Sequence, residues 1–309
     1  MPASRERIGG ALQLLGDQWV LLILQQAFAG ERRFSGWRDR LSISEAVLAA
    51  RLRLLVDAGV LSRVPYRDEH RTREEYRLTE AGLALWQVLV AIWAWEVAWV
   101  PGRTEQLPAL VHTVCGQSCR PLLGCAACGT RDVRARETTL LRAPGRSLAD
   151  ASPPRRFRRS GWEAVADRPE LFFPETMAIL GDRWASALMA AAFLGVRRFR
   201  DLERELGIGP SMLSARLGEL VERGVLDRVE LPDSQAVEYR LTGKGREFFP
   251  VVSLIVDWGQ RFLPAAPSTL SIAHPACGQP FVPCLTCEAC GGVLHRREVR
   301  FAPILAPSQ

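Results

Sequence analysis

The pattern His112-x2-Cys115-x9-Cys125-x2-Cys128 recurs as His274-x2-Cys277-x9-Cys287-x2-Cys290, with every spacing unchanged. Thiolate and imidazole donors suit tetrahedral Zn2+, and a short knuckle turns two of them to one side of an ion. A glycine follows the second residue of each knuckle (Gly116, Gly129, Gly278, Gly291), where a tight backbone is needed. The spacing therefore predicts two structural Zn2+ sites, one in each copy. His112, Cys115, Cys125 and Cys128 form the first, and His274, Cys277, Cys287 and Cys290 the second. Cys119 and Cys284 stand at non-equivalent places, and either could replace the histidine of its own copy. A thiol redox switch and inert buried thiols are the alternatives. A closed four-ligand site leaves no position for a reactive water. No nucleophile–base constellation is visible, since His70 falls in a turn and His295 is isolated. The reading is of a protein that is not an enzyme.

The copies lie 162 positions apart at the cysteines, and the repeat extends upstream. Leu15-Gly16-Asp17-Gln18-Trp19 matches Leu180-Gly181-Asp182-Arg183-Trp184. Arg32-Arg33-Phe34 matches Arg197-Arg198-Phe199, and Glu75-Tyr76-Arg77-Leu78-Thr79 matches Glu238-Tyr239-Arg240-Leu241-Thr242. The offset drifts from 165 to 162 only where turns are expected, as insertions in surface loops would make it. The domains read as 1–101 and 170–264, with Cys-rich tails 102–141 and 265–309. A linker, 142–169, holds Pro144, Pro153, Pro154 and the cluster Arg155, Arg156, Arg158, Arg159. The 309 residues, 48% hydrophobic and 24% charged, suit two globular domains. No secretory leader is read at the N-terminus, and Leu83 to Val100 reads as a packing helix rather than a membrane span. That points to the cytoplasm, where C-x2-C favours metal over disulfide. The net charge of +6 is compatible with a polyanionic partner, although Lys244 is the only lysine, which suggests codon bias as well.

In copy one, apolar periodicity predicts helices over Ile8–Leu15, Trp19–Ala29 and Gly36–Leu41. A further helix capped by Ser44 ends before Gly59. Strands Val60–Tyr66 and Arg73–Leu78 flank a polar turn, and Thr79 opens a long helix. Copy two repeats the order, with helix Ser211–Arg223 and strands Val225–Leu231 and Ala236–Leu241 around the turn 232–235. The fold class is mainly α with small β: two winged helix-turn-helix domains, each with a small zinc-ribbon-like tail.

In such an order the second helix of the pair can enter the major groove and the hairpin can approach the backbone. The candidate DNA contacts are Ser44, Glu45, Ala46, Ala50 and Arg51 in copy one. In copy two they are Pro210, Ser211, Ser214, Ala215 and Arg216. Arg51 and Arg216 read equally well as salt-bridged scaffold. Arg67, His70, Arg71 and Arg73 make the first wing basic, whereas Asp233 would repel phosphate from the second. Six to ten neutralised phosphates would give a log–log salt slope of about −5 to −9. Trp95 and Trp258 read as packing residues, with lining of an effector cavity as the alternative.

The ordered run Leu-Gly-Asp-x-Trp, Arg-Arg-Phe, Leu-x-x-Arg-Leu before Gly-Val-Leu, and Glu-Tyr-x-Leu-Thr resembles the HxlR-type winged-helix transcriptional regulators. It spans roughly Ile8–Trp99 and Pro174–Phe262. The resemblance implies sequence-specific binding of double-stranded DNA by a dimer joined through its N-terminal and long C-terminal helices. With two units in one chain, the expectation is an intramolecular pseudo-dimer, most simply a repressor, on an imperfect palindrome. The tail also resembles an extension of some members, and a small-molecule or redox effector and association of two chains stay open. A zinc- or redox-responsive interaction module that does not read DNA is the second reading.

Overall fold

The computed structural model describes residues 7–68, 71–146, 148, 173–232, 236–263 and 269–302. Copy one runs α1 (Arg7–Leu15), α2 (Gln18–Phe28), α3 (Phe34–Leu41), α4 (Glu45–Asp57), β1 (Leu61–Asp68), β2 (Arg71–Leu78), α5 (Glu80–Ala84), α6 (Trp86–Trp99) and α7 (Arg103–Gln106). Its tail adds β3 (Leu110–His112), β4 (Gln117–Ser118), β5 (Pro121–Cys125) and β6 (Thr139–Arg142). Copy two repeats this as α8 (Pro174–Leu180), α9 (Arg183–Phe193), α10 (Phe199–Leu206), α11 (Pro210–Glu222), β7 (Leu226–Glu230), β8 (Val237–Leu241), α12 (Gly243–Arg246) and α13 (Phe249–Phe262). Its tail holds β9 (Leu270–His274), β10 (Gln279–Pro280), β11 (Pro283–Cys287) and β12 (Val299–Phe301).

Each half is a winged helix-turn-helix, and the repeated motif residues build its scaffold. Asp17 caps α2 by accepting from the Val20 amide at 3.1 Å, and Asp182 caps α9 from the Trp184 and Ala185 amides. Thr79 and Thr242 cap the helices after each wing, and their hydroxyls donate back to Gly59 O and Gly224 O. Tyr76 N and Tyr239 N donate to Arg32 O and Arg197 O, both at 2.8 Å, tying each wing to the connection between its domain's second and third helices. Leu48, Leu52 and Leu55 bury one stripe of α4, and Leu213, Leu217 and Leu220 the matching stripe of α11.

The halves pack together through contacts that occur twice with the copies exchanged. Trp95 Nε1 donates to Lys244 O at 3.0 Å and Trp258 Nε1 to Ala81 O at 2.8 Å, so both tryptophans are interface packing residues. Strand β5 pairs antiparallel with β11, and the register sets Leu123 opposite Leu285, its own counterpart 162 positions on. A residue facing its counterpart marks a local twofold, the geometry of an isologous interface. The tails also exchange strands: β12 pairs with β3, and β6 with β9. Arg142 is thus the last residue of a paired strand rather than the first of the linker; the linker arginines lie outside the described residues.

Not all of the interface is symmetric. Glu96 on α6 is fully buried and accepts from Thr176 N at 2.8 Å and Thr176 Oγ1 at 2.7 Å, across the copies. Gly259 stands at the equivalent place in copy two. Burial raises the Glu96 carboxyl above its ordinary value, against the opposing hydrogen bonds from Thr176. The span Glu80–Trp99 is long and apolar enough to cross a membrane by length and composition, yet half of it is buried inside the fold.

Candidate nucleic-acid interface and metal centres

The starts of α4 and α11 face outward. Ser44, Glu45, Ala46 and Ala50 are exposed, as are Pro210, Ser211, Ser214 and Ala215. Ser44 is the N-cap of α4 and accepts from Val47 N at 3.4 Å; in α11 Pro210 occupies the first turn after Gly209. Among the described residues, neither helix start is covered by the sister copy. A duplex could therefore reach both.

The two arginines chosen from the sequence behave differently from their neighbours. Arg51 Nε lies 2.6 Å from the buried cap Asp17, and the Arg216 guanidinium spans Asp182 at 3.1 Å and Glu219 at 2.9 Å. Both are mostly buried, and the ion pairs they form fit the scaffold reading of these two residues better than the groove-contact reading. Arg53 was missed. It is exposed, forms no ion pair among the described residues, and follows Ala46 and Ala50 at seven and three positions. That spacing puts all three on one helix face, whereas Arg51 is rotated towards the core. Helical periodicity alone could have found it. In copy two the same face carries Ser211, Ala215 and Gly218, with no cation.

The first wing pairs eight residues per strand, the second five. Arg67 and Arg73 are exposed near the first wing's tip. His70 and the Arg71 side chain lie outside the described residues, as does Asp233 in the second wing.

The eight expected ligands do come together in two clusters of four, but not in the expected grouping. His112 and Cys115 meet Cys287 and Cys290, while Cys125 and Cys128 meet His274 and Cys277; within each cluster all ligand atoms lie within 4.8 Å of one another. Each cluster takes one knuckle from each copy, correcting the expectation of one site per copy. The cause is the exchange of strands: pairing of β5 with β11 and of β12 with β3 carries the Cys287–Cys290 knuckle across to His112.

In the first cluster His112 Nδ1 is 3.4 Å from Cys115 Sγ and 3.3 Å from Cys290 Sγ, and Cys115 Sγ is 3.9 Å from Cys287 Sγ. In the second, His274 Nδ1 is 3.4 Å from both Cys128 Sγ and Cys277 Sγ. A tetrahedral zinc with ordinary bond lengths places sulfurs about 3.8 Å apart and sulfur and nitrogen about 3.5 Å apart, so the donors fit such an ion. Thr130 holds the Cys128 thiol down to about 6 by hydrogen bonding. At Cys287 burial acts upward, but the Cys290 and Ala289 amides outweigh it and bring the thiol to about 7. Burial pushes Cys119 up to about 12 and Cys284 to about 11, which keeps both as neutral thiols beside the clusters. His295 belongs to neither cluster.

A family model for HxlR-like helix-turn-helix proteins matches residues 14–104 and again 179–267. The chain belongs to this family and contains it in tandem. The uncharacterized HTH-type transcriptional regulator Rv3095 of Mycobacterium tuberculosis is 43% identical over 141 residues, which are 45% of this chain and 87% of that protein. The uncharacterized HTH-type regulator YvaP of Bacillus subtilis is 37% identical over 93 residues, 29% of this chain and 86% of that protein. One copy thus accounts for most of either relative. The crystal structure of the proposed transcription factor PA1607 matches with a TM-score of 0.37 at 33% identity, covering 47% of this chain and 96% of that one. The protein is a helix-turn-helix transcriptional regulator of the DNA-binding HxlR class.

Proposed function

We propose that a single chain occupies both half-sites of an imperfect palindromic operator, as a cytoplasmic repressor whose two copies act as an intramolecular pseudo-dimer. The observation that carries this reading is the twofold pairing of the copies, with the starts of α4 and α11 left open on both. Ser44, Glu45, Ala46 and Ala50 would meet one half-site, with Arg53 supplying the cation that Arg51 does not. Pro210, Ser211, Ser214 and Ala215 would meet the other. The two faces differ in charge, so the half-sites should differ. Arg67, His70, Arg71 and Arg73 would add phosphate contacts from the first wing. Covalent linkage raises the effective concentration of the second unit once the first is bound.

In the same reading two zinc ions fasten the copies. His112 and Cys115 with Cys287 and Cys290 would hold one, and Cys125 and Cys128 with His274 and Cys277 the other. Bound zinc would supply structural cross-links between the halves, because binding energy at a site shared by two copies is also docking energy. Selection of bound genomic fragments followed by footprinting tests the reading. Two unlike half-sites with centres about 10 base pairs apart are expected. Identical half-sites, or no protection, would contradict it.

A further inference from the structure

The helix pairs of the two copies differ in charge where α4 and α11 begin. Arg38 on α3 reaches Glu45, the first residue of α4, its Nη1 lying 2.9 Å from Oε1. At the equivalent places, 165 positions on, copy two has Glu203 on α10 and Pro210 at the start of α11. The acid with its cation belongs to copy one alone.

The Glu45 side chain is 68% exposed at the uncovered end of α4, and that of Arg38 is 42% exposed. One hydrogen bond leaves a carboxylate with further acceptor sites, and it has no donor to offer. A bare acid would be repelled by the phosphates of a duplex, but a guanidinium beside it offsets that repulsion. Arg38 also meets Asp39 at 2.9 Å, which fixes the guanidinium between the two acids. The pair therefore presents an acceptor in a set direction, beside the exposed residues Ser44 and Ala46.

We infer that Glu45, positioned by Arg38, reads one cytosine in the half-site of copy one, a requirement that the half-site of copy two lacks. The inference rests on the DNA-binding reading and names a base that it recognises. In the major groove cytosine shows its N4 amino donor, whereas the polar groups of guanine and thymine there only accept. Adenine sets an N7 acceptor beside its N6 donor, and that acceptor repels a carboxylate. Cytosine is the base that answers an acceptor-only group. Pro210 has no side-chain donor or acceptor, and the Ser211 hydroxyl can do either, so copy two tolerates any base there. The operator thereby gains a direction, and the chain one orientation upon it.

The full-length protein is used to select duplexes from a randomised library, and base preferences are then measured by competition. Cytosine at one position of one half-site should exceed every other base by at least about tenfold. Glu45→Ala should abolish that preference and leave the other positions unchanged. Glu45→Gln should move it to adenine, whose N6 and N7 a carboxamide pairs with together. Arg38→Ala should weaken the cytosine preference, and Arg38→Lys should restore it. An acid in the first turn also steadies its own helix, so stability does not identify this role, whereas base preference does. Pro210→Glu combined with Glu203→Arg should create a second cytosine requirement in the other half-site, and this variant decides if Glu45→Ala does not fold. Unchanged preferences in the Glu45 or Arg38 variants, or no second cytosine, overturn the inference and leave the DNA-binding reading intact. A native chain that selects no sequence overturns that reading and the inference with it.

Discussion

Two arginines two positions apart on α4 stand in different settings, Arg51 paired with Asp17 and Arg53 exposed. Arg51 neutralises Asp17, a buried carboxylate that also caps α2 and whose proton affinity is raised by burial against the pull of Arg51. Arg51→Ala removes that partner and should cost about 2 kcal/mol of stability, seen as a lowered denaturant midpoint. Arg53→Ala should leave the midpoint alone, weaken operator binding, and shallow the log–log salt slope by about one. Equal effects of the two substitutions on DNA affinity at unchanged stability would contradict this division. The repeated Asp-x-Trp and Leu-Thr motifs are readable in the sequence because capping demands particular side chains at fixed spacing. Which arginine faces outward is also readable, from its register with Ala46 and Ala50. That Asp17 would claim Arg51 is not, because the ion pair joins residues whose proximity only the packed helices create.

At the scale of elements, the four knuckles show where sequence reading stops. Their residue types and internal spacing are local and fully visible. Their partnership is not, because both copies offer the same two knuckles and either grouping satisfies a tetrahedral ion. The antiparallel pairing of β5 with β11 decides it. Near the same twofold the α1–α2 turn meets the α8–α9 turn, and a Cβ on Gly16 would stand 2.5 Å from Leu180 O. Gly16→Ala should therefore force the copies apart there and cost about 2 kcal/mol, measured as a fall in Tm. Glu96 gives a pH signature. Its carboxyl binds a proton more tightly folded than unfolded, so the native state holds more protons between pH 4.5 and that raised value. Stability then falls as pH rises through this window and is recovered on acidification. Glu96→Gln keeps an acceptor for Thr176 and should flatten that part of the Tm–pH curve; an unchanged slope would remove Glu96 as its source.

For the whole molecule, duplication, fold and family follow from the repeat, since each copy is long enough to bury its own core. The exchange of tail strands depends on contacts between residues more than 120 positions apart, which no local pattern records. It makes metal content a test of quaternary geometry within one chain. The protein should carry two zinc ions, and a chain cut at a protease site introduced between Gly161 and Phe172 should elute as one species. After treatment with a chelator its halves should separate or elute at a visibly larger radius. Halves that stay together equally well without metal would show that the clusters do not fasten them. The most direct test of the account is the mass of the complex between the intact protein and a duplex bearing its footprinted operator. One chain per duplex, with both half-sites protected, is the result the account predicts. Two chains per duplex, each protecting a single half-site, would contradict it.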